Sequence, residues 1–454
     1  MDATKNIVTR FAPSPTGLLH AGNYRTAVFA YLFARKHKGE FIVRIEDTDR
    51  ERSKPEYEAD IFDALKWLSL EEDTRYRQSE HHPRHEKELH RLIESGMAYV
   101  SKEAPREEGG PSFAKTSKDK REEVIRFRNP NTSLTFEDAI RGPITFDTTE
   151  LGDFVIAKSH TEPVFHFAVV VDDWDEGVTH VIRGEDHISN TPRQILIQKA
   201  LGAPTPIYAH LPLVLGPDRA KLSKRRGARP LLAYRELGYF PEAILNYTAL
   251  LGWHPQGDKE VLSKEELIEL FDVSRIQRGG AMFDEVKLAW LNHEHGKLLS
   301  AEEYSFRLAN FLKARGKEAP LYLLKAAPML KERAQTLLEA AELLKAGECA
   351  FFDAAGPYEA ELLARGAKAP AEAVRTHLEA VLQMLKELHE GSWSAAGVKE
   401  AIFPYATEHG RASVLWPLRI ALSGREKSAD PFTIAGLIGK EETLKRLAHA
   451  LTLL

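Results

Sequence analysis

Two short stretches, far apart in the chain, carry the residue types best suited to phosphate chemistry. The first, APSPTGLLHAGN at 12–23, places small and rigid residues between a predicted strand and a predicted helix. Backbone N–H groups in such a turn can approach an anion, and the positive end of the helix dipole favours negative charge there. His20 lies where its ring could donate a hydrogen bond to a phosphate oxygen. Taken alone, a proline-containing turn with a surface histidine is the commoner interpretation of such a stretch.

The second stretch, KLSKRRG at 221–227, offers two lysines three positions apart that can point at one phosphate group. Positioned cations supply most of the catalysis when a phosphoryl group is transferred. The surrounding basic run, 218–229, is by itself as compatible with a solvated loop as with a binding site. The first stretch lacks both the P-loop pattern and the G-x-G-x-x-G dinucleotide pattern. His-x-Gly followed much later by Lys-x-Ser-Lys is therefore more specific than either part.

A strand–helix–strand unit must position the first stretch. NIVTRF is short and β-branched, and NYRTAVFAYLFARKHKG has apolar residues at helical spacing with cations in its last turn, where the helix dipole favours them. EFIVRIED then has the pattern of a strand buried on both faces. One βαβ unit of this kind predicts an open α/β sheet.

The later part of the chain changes character twice. Shorter segments and a polar, Gly- and Pro-bearing run at 76–165 predict an insertion that interrupts one α/β domain. Further strands are predicted at VFHFAVVVDDW and VTHVIRGEDHIS, followed by the helical TPRQILIQKALG. Beyond about residue 237 strand signals vanish, and helices are predicted to the C-terminus.

Composition limits the classes of protein that the chain can be. It has 454 residues, 43% apolar and 28% charged, which predicts two to four domains. One cysteine, Cys349, excludes an internal disulfide and a cysteine-rich zinc site and suits a reducing cytosol. We find neither a secretory signal nor an apolar run of the roughly 20 residues that a bilayer requires, and we expect a cytoplasmic protein without membrane contact. A net charge of −5 argues against nucleic acid only if the basic residues do not cluster.

A resemblance to the bacterial glutamyl-tRNA synthetases, of the class I aminoacyl-tRNA synthetases, is carried by four stretches in the same order and spacing. They are RFAPSPTGLLHAG, FIVRIEDTDRERS, VVVDDWDEGVTHVIRGEDHISNTPRQ and KLSKRRGA. LWPLRIALSGRE and PFTIAGLIGKEETLKRL look like the helical anticodon-binding region of the same family. The resemblance covers nearly the whole chain. It implies an α/β fold: a Rossmann-like class I catalytic domain with an inserted acceptor-binding domain, followed by an all-α C-terminal anticodon-binding region.

On this resemblance the chain divides into five predicted segments. They are the first half of the catalytic domain (1–75), the inserted acceptor-stem-binding domain (76–165), the second half with the KLSKR loop (166–236), a stem-contact helical domain (237–300) and the helical anticodon-binding domain (301–454).

The resemblance implies an ATP site. His20 and Gly22 match the family's HIGH motif, whose second histidine is Asn23 here, and the KLSKR loop matches KMSKS with Leu222 for the methionine. The implied catalytic residues are His20, Lys221 and Lys224. The implied ATP-binding residues are Thr16, Gly17, His20, Gly22, Asp186, Ser223 and Lys224. Lys224 and His20 should stabilise the charge that develops on the α-phosphate.

The resemblance also implies a glutamate site. Arg10 matches the arginine for the side-chain carboxylate, Arg183 the one near the α-carboxylate, and Glu46 the acid that receives the ammonium group. Bidentate pairing with a carboxylate suits arginine rather than lysine. The implied glutamate-binding residues are Arg10, Ala12, Ser14, Glu46, Phe165 and Arg183. Family members often carry a tyrosine where this chain has Phe165-His166, so that hydroxyl contact is absent.

Three residues are implied to contact tRNA. Asp49 would lie toward the terminal adenosine, Arg225 lies in the lysine loop, and Arg333 resembles the arginine that reads the last anticodon base. The acidic run that holds Asp49 is otherwise compatible with a Mg²⁺ or Ca²⁺ site, although no further calcium-type spacing follows. Trp393 and Trp416 could stack on bases, with burial as the commoner alternative. Zinc-binding cysteines are missing from AYVSKEA, so no structural metal is expected.

The implied function is a glutamate–tRNA ligase that uses ATP with Mg²⁺, L-glutamate and tRNA(Glu), with charging of tRNA(Gln) left open. A monomer is expected, as is common in the family. The alternatives are a tRNA-binding paralogue without catalysis, a shortened relative that lacks an anticodon domain, a glutaminyl-tRNA synthetase with C-terminal β-barrels, and a distant HxGH nucleotidyltransferase. The intact histidine and lysine motifs and the long helical C-terminus argue against these four.

Overall fold

The structure is a computed structural model, and it describes residues 6–103, 122–222 and 229–454. The strands are β1 Val8–Phe11, β2 Glu40–Ile45, β3 Thr74–Arg77, β4 Ala98–Glu103, β5 Glu122–Phe127, β6 Ser133–Asp138, β7 Gly142–Asp147, β8 Phe154–Ser159, β9 Glu162–Pro163, β10 His180–Gly184, β11 Ile207–Leu211, β12 Val214–Leu215 and β13 Ala281–Met282. Three predicted site residues, Ser223, Lys224 and Arg225, lie outside the described residues.

The helices occur throughout the chain. They are α1 Ala21–Lys36, α2 Pro55–Trp67, α3 His82–Glu94, α4 Phe165–Asp175, α5 Thr191–Leu201, α6 Leu231–Glu236, α7 Pro241–Leu250, α8 Lys264–Leu270, α9 Glu285–Leu298, α10 Ala301–Lys313, α11 Leu323–Arg333, α12 Leu337–Lys345, α13 Ala360–Arg365, α14 Ala371–Glu387, α15 Ala395–His409, α16 Arg411–Ser423, α17 Pro431–Ile438 and α18 Lys440–Leu453.

A seven-stranded sheet of order β3-β2-β1-β10-β11-β6-β7 lies at the centre of the N-terminal part. Every neighbouring pair from β3 to β6 is parallel, and β7 is antiparallel to β6. The predicted α/β fold class is therefore confirmed. The connection from β1 runs to β2 on one side, whereas β10 pairs with β1 on the other. The loops that follow β1 and β10 consequently diverge, and such a switch point is the usual ligand crevice of an open sheet.

Strands from the predicted insertion, 76–165, belong to two different sheets. β4, β5, β8 and β9 form an antiparallel sheet of their own, whereas β6 and β7 extend the central sheet. The end of β6 therefore lies beside β11, in register with Tyr208. The predicted segment boundaries stay a prediction.

The strand predicted at VFHFAVVVDDW is wrong, because this stretch forms helix α4. Val169, Val170 and Val171 are all buried. A helix covered on every side has no polar face, so its apolar run cannot be told from that of a buried strand by periodicity. The absence of strands after residue 237 is also wrong at β13, which pairs in parallel with β12.

The chain forms two compact units, residues 1–291 and 292–454. In the second unit the described elements are helical, and Leu378, Val381 and Leu385 form one buried stripe of α14. This agrees with the predicted all-α C-terminal region. In the described parts of the chain, no helix is both long and apolar enough to cross a bilayer.

Candidate active site

The turn after β1 is held in place by the chain that follows β2. The carbonyl of Pro13 accepts a hydrogen bond from the backbone N–H of Glu46 at 3.0 Å, and that of Pro15 accepts from Lys54 at 3.0 Å. Backbone hydrogen bonds therefore fix the turn against the segment that connects β2 to α2. His20, the last residue of the turn, is the N-cap residue of α1.

His20 lies directly over the first turn of α1. A Cβ atom added to Gly22 would lie 3.4 Å from Cε1 of the imidazole, so a larger side chain would crowd the ring. The N–H groups of Ala21 and Gly22, which precede the first hydrogen bonds of the helix, thus share one location with the imidazole, which favours a bound anion. Thr16, Gly17 and Ala12 are half-buried in the preceding loop, and Ser14 is exposed.

Three predicted glutamate contacts lie at the carboxyl edge of the sheet. Arg10 lies in β1, Arg183 lies in β10, and Glu46 directly follows β2. Their side chains are buried, with exposed fractions of 4% for Arg10 and 6% for each of the other two. Burial raises the pKa of Glu46, against the opposing charges of Arg44 and Arg10. Burial lowers the pKa of Arg183 to about 10. The sheet therefore brings these two arginines and this glutamate, all nearly buried, to one edge.

Arg44, which sequence reasoning missed, is the centre of a buried network behind these residues. Its guanidinium contacts Asp173 at 2.8 Å, Glu176 at 2.7 Å and Glu46 at 3.2 Å. Asp173 also accepts a hydrogen bond from Nε of Arg10 at 3.2 Å. Arg44 is completely buried. One cation thus joins two predicted glutamate contacts, Arg10 through Asp173 and Glu46 directly.

The network extends to α3 and its preceding turn through Asp172. This carboxylate accepts from the side-chain amide of Gln78 at 2.6 Å and contacts Nε2 of His85 at 2.6 Å. Burial would raise the pKa of Asp172, but the contacts with His81 and His85 and the charge of Arg44 lower it below the ordinary range. The sequence contains a signal for this network, because the apolar strings FIVRIED and VVVDDWDE include charged residues. When such strings are buried, their charged side chains need hydrogen-bonding partners of opposite charge.

Substitution of Glu176 by glutamine is expected to reduce the pH dependence of stability. Burial raises the pKa of Glu176 to about 7 from 4.5, against the attraction of Arg44. Between these values the folded state holds a proton that the unfolded state has lost, so stability falls as pH rises. Glu176→Gln mimics the protonated group, and its melting temperature should decline less than that of the wild type from pH 5 to pH 8. Thermal unfolding at both pH values measures this, and an unchanged decline would contradict it. Glu80→Gln, at an exposed carboxylate, is the control.

The remaining predicted residues of the first unit that the structure describes lie beside the turn after β10 or in the loop after β2. Nζ of Lys221 contacts Asp186 at 3.1 Å, and a Cβ on Gly184 would lie 2.4 Å from that carboxylate, so a larger residue there would displace the Asp186 side chain. The ring of Phe165 packs against His187 at 5.6 Å. Asp49, in the loop after β2, pairs with Arg52 at 2.7 Å.

The second unit holds the predicted anticodon reader and the two tryptophans. Arg333 ends α11 and pairs with Glu348 at 2.9 Å. Trp393 and Trp416 are half-buried, and their indole N–H groups donate to backbone carbonyls at 3.0 Å. The ring of Trp416 packs where a side chain on Gly366 would lie, and it lines a cavity of about 230 Å³ with Arg411 and Arg419.

Metal-ligating side chains do not gather in the described residues. No group of three or more His, Cys, Asp or Glu side chains there has an arrangement that could hold a metal ion. Cys349 is buried, and burial raises the pKa of its thiol to about 12.

Comparison with protein families assigns both units. The model "tRNA synthetases class I (E and Q), catalytic domain" matches residues 6–109 and 110–290. The model "Anticodon binding domain" matches residues 302–451.

Known proteins and solved structures match over nearly the whole chain. The glutamate–tRNA ligase of Nitrosospira multiformis is 40% identical over 98% of this chain and 99% of its own length. Glutamate–tRNA ligase 1 of Acidithiobacillus ferrooxidans is 39% identical with the same coverage. A glutamate tRNA ligase of Elizabethkingia meningosepticum, solved in complex with its amino acid, superimposes with a TM-score of 0.80 at 31% identity, over 99% of both chains. The glutamate–tRNA synthetase of Elizabethkingia anophelis gives 0.78 at 31% identity, over 99% of this chain and 100% of its own.

Proposed function

The chain belongs to the class I tRNA synthetases of the E and Q family, and from this premise we propose that it is a glutamate–tRNA ligase. The observation that carries the choice of amino acid is the charge of the crevice. L-Glutamate has two carboxylates and one ammonium group, and the sheet edge offers two buried arginines and one buried glutamate, Arg10, Arg183 and Glu46. The three charges of the ligand thus have three complementary partners.

Arg10 is assigned to the side-chain carboxylate. Among the described residues it donates through Nε to Asp173, which leaves the two terminal nitrogens for a bidentate carboxylate. A glutamine side chain would place a neutral amide, with its own N–H donors, against this cation. Sites built for a charged hydrogen-bond partner reject such analogues because their buried groups are left unpaired.

The nucleotide is assigned to the turn after β1. We infer that His20 donates to an oxygen of the α-phosphate while the N–H groups of the first turn of α1 hold the neighbouring phosphates. Mg²⁺ that enters with ATP would neutralise part of the phosphate charge. An oxygen of the glutamate α-carboxylate then forms a bond to the α-phosphorus, and the bond to pyrophosphate breaks. We propose that Lys221, which contacts Asp186, and Lys224 stabilise the charge that develops at the α-phosphate as pyrophosphate leaves.

Transfer to tRNA completes the proposed reaction. The terminal ribose hydroxyl of tRNA(Glu) attacks the carbonyl carbon of the glutamyl-adenylate, its proton passes to the departing phosphate, and AMP leaves with the bonding electrons. Asp49 and Arg225 are proposed to contact the acceptor end, and Arg333 the anticodon, where the family's anticodon-binding domain matches. The five-segment division, a monomeric state and a cytoplasmic location are part of this proposal, and charging of tRNA(Gln) is left open.

Charging assays with labelled glutamate test the proposal. The wild type should charge a tRNA(Glu) transcript, and parallel assays with tRNA(Gln) and tRNA(Asp) define the specificity. His20→Ala should lower charging by about 10²–10³-fold, because it removes one positioned donor to the transition state. His37→Ala, which alters an exposed histidine at the other end of the same helix, should leave charging within twofold. Retained tRNA binding without charging by the wild type would indicate a non-catalytic tRNA-binding protein instead.

A further inference from the structure

Arg183 is held by two uncharged partners along one edge of its guanidinium. Its Nε donates to Nε2 of His210 at 3.1 Å, and its Nη2 donates to Oγ1 of Thr191 at 2.8 Å. The guanidinium carbon lies 5.1 Å from the ring centre of Tyr208. Since the Nε–Nη2 edge is occupied, a carboxylate can pair in bidentate fashion only with the opposite, terminal edge. The contacts with His210 and Thr191 therefore leave the terminal edge of Arg183 open to a ligand.

The bond from Arg183 determines the tautomer of His210. An arginine nitrogen can only donate, so Nε2 of His210 must accept and carry no proton. The proton of the neutral ring then lies on Nδ1, which is 2.6 Å from Oδ2 of Asp138. Both side chains are buried. Burial and the nearby charge of Arg183 lower the pKa of His210 in spite of Asp138, in agreement with a neutral ring.

Asp138 is itself fixed by the turn that it begins. It is the last residue of β6, and its Oδ1 accepts from the backbone N–H groups of Ile140 at 3.0 Å and Arg141 at 2.9 Å. Its Oδ2 accepts from the backbone N–H of His210 at 3.1 Å. A carboxylate with this many donors cannot rotate without loss of several hydrogen bonds. Backbone hydrogen bonds thus hold the contact chain from β6 to Arg183 at both of its first two members, Asp138 and His210.

We propose that Asp138 and His210 are a positioning pair for amino-acid activation: Asp138 holds His210 in the Nδ1–H tautomer, and His210 aligns Arg183 so that its terminal edge meets the α-carboxylate of the substrate. The proposal rests on the proposed function, since that function supplies the α-carboxylate. Neither residue touches the substrate in this assignment. Strand β6, which lies in the predicted insertion, thereby contributes to the amino-acid site.

Asp138→Asn gives a direct test. The asparagine oxygen is expected to stay with the N–H groups of Ile140 and Arg141, which turns its NH₂ group toward Nδ1 of His210. His210 must then accept at Nδ1 and carry its proton on Nε2, where it faces the donor of Arg183. A misplaced partner of a charged hydrogen bond costs about 10- to 100-fold in binding. We expect KM for glutamate in ATP–pyrophosphate exchange, run with tRNA present, to rise by this factor while KM for ATP stays within twofold.

Two further measurements separate positioning from general damage. L-Glutamol, which lacks the α-carboxylate, should inhibit the wild type and Asp138→Asn equally, whereas an equal loss for glutamate and glutamol would overturn the proposal. Long-range ¹⁵N–¹H spectra should show His210 protonated on Nδ1 in the wild type and on Nε2 in the variant. Asp147→Asn is the matched control, because Asp147 ends β7 of the same hairpin and its side chain bonds only to Thr149 among the described residues. It should change neither KM.

A second pair of variants decides the matter if Asp138→Asn does not fold. His210→Gln keeps an oxygen near the position of Nε2 that can accept from Arg183, whereas His210→Leu offers none. Partial recovery of KM for glutamate in His210→Gln over His210→Leu is expected, and equal KM values in the two variants would overturn the proposal. A wild type that activates no glutamate would instead overturn the proposed function, and the ¹⁵N spectra would still test whether Asp138 sets the tautomer.

Discussion

Replacement of Arg44 by methionine is expected to lower the free energy of unfolding of the first unit by about 3–5 kcal/mol. The substitution keeps much of the side-chain volume and removes the charge and the N–H donors of the guanidinium. Glu46, Asp173 and Glu176 would then be left buried around an apolar group, each within 3.2 Å of the atoms removed. Loss of one partner from a buried ion cluster costs more than the cluster contributes, because the remaining charges stay desolvated.

Urea denaturation followed by tryptophan fluorescence measures this change, and hydrogen exchange of the β1 and β2 amides assigns it to the sheet. Arg235→Met is the matched control, because Arg235 pairs with Asp63 at 2.9 Å but both side chains are more than a third exposed. Exposed pairs contribute about 0–1 kcal/mol, so this variant should stay within about 1 kcal/mol of the wild type. Equal effects of the two substitutions would contradict the role assigned to Arg44.

Replacement of Arg10 by lysine is expected to lower kcat/KM for glutamate by about 10²–10³-fold. Lysine keeps the charge but presents one compact ammonium group in place of a planar fork, so bidentate pairing with the side-chain carboxylate is lost. It also loses Nε and thereby the bond to Asp173 at 3.2 Å that orients the side chain. Removal of one partner from a buried, hydrogen-bonded charge pair typically costs 2–5 kcal/mol, and about 3–4 kcal/mol corresponds to this factor.

The effect should be found in KM for glutamate, with KM for ATP unchanged, in ATP–pyrophosphate exchange with tRNA present. Arg35→Lys serves as the control, because Arg35 also pairs with a carboxylate, Asp73 at 2.7 Å, but lies in the last turn of α1. It should change kcat/KM for glutamate less than twofold. A parallel rise of KM for ATP in Arg10→Lys would indicate a distorted crevice rather than a lost carboxylate partner.

The strand–turn–helix unit around His20 could be predicted because its signals are local. β-Branched residues precede the turn, prolines and glycines form it, and helical spacing follows, so each element depends on its neighbours in the chain. Arg10, Glu46 and Arg183 could be chosen by resemblance for the same reason: each lies in a short recognisable string at a strand end. Parallel strands bring such ends to one edge, and the structure places all three there.

The errors and omissions involve partners that are distant in sequence. The sequence predicts a strand where helix α4 forms, because burial on every face of a helix removes its hydrophobic periodicity and burial is a property of the whole fold. Arg44 went unassigned because its contact Glu176 is 132 positions away. Asp138 was unremarkable in sequence, 72 positions from His210.

The sequence by itself therefore determined the fold class, the family and the short motifs, since these depend on residue order and local spacing. Only the tertiary structure decided which carboxylates pair with Arg44, which ring nitrogen of His210 carries the proton and which edge of Arg183 is open to a ligand. Such outcomes depend on desolvation and on hydrogen-bond geometry between strands, and both arise only when distant segments pack together.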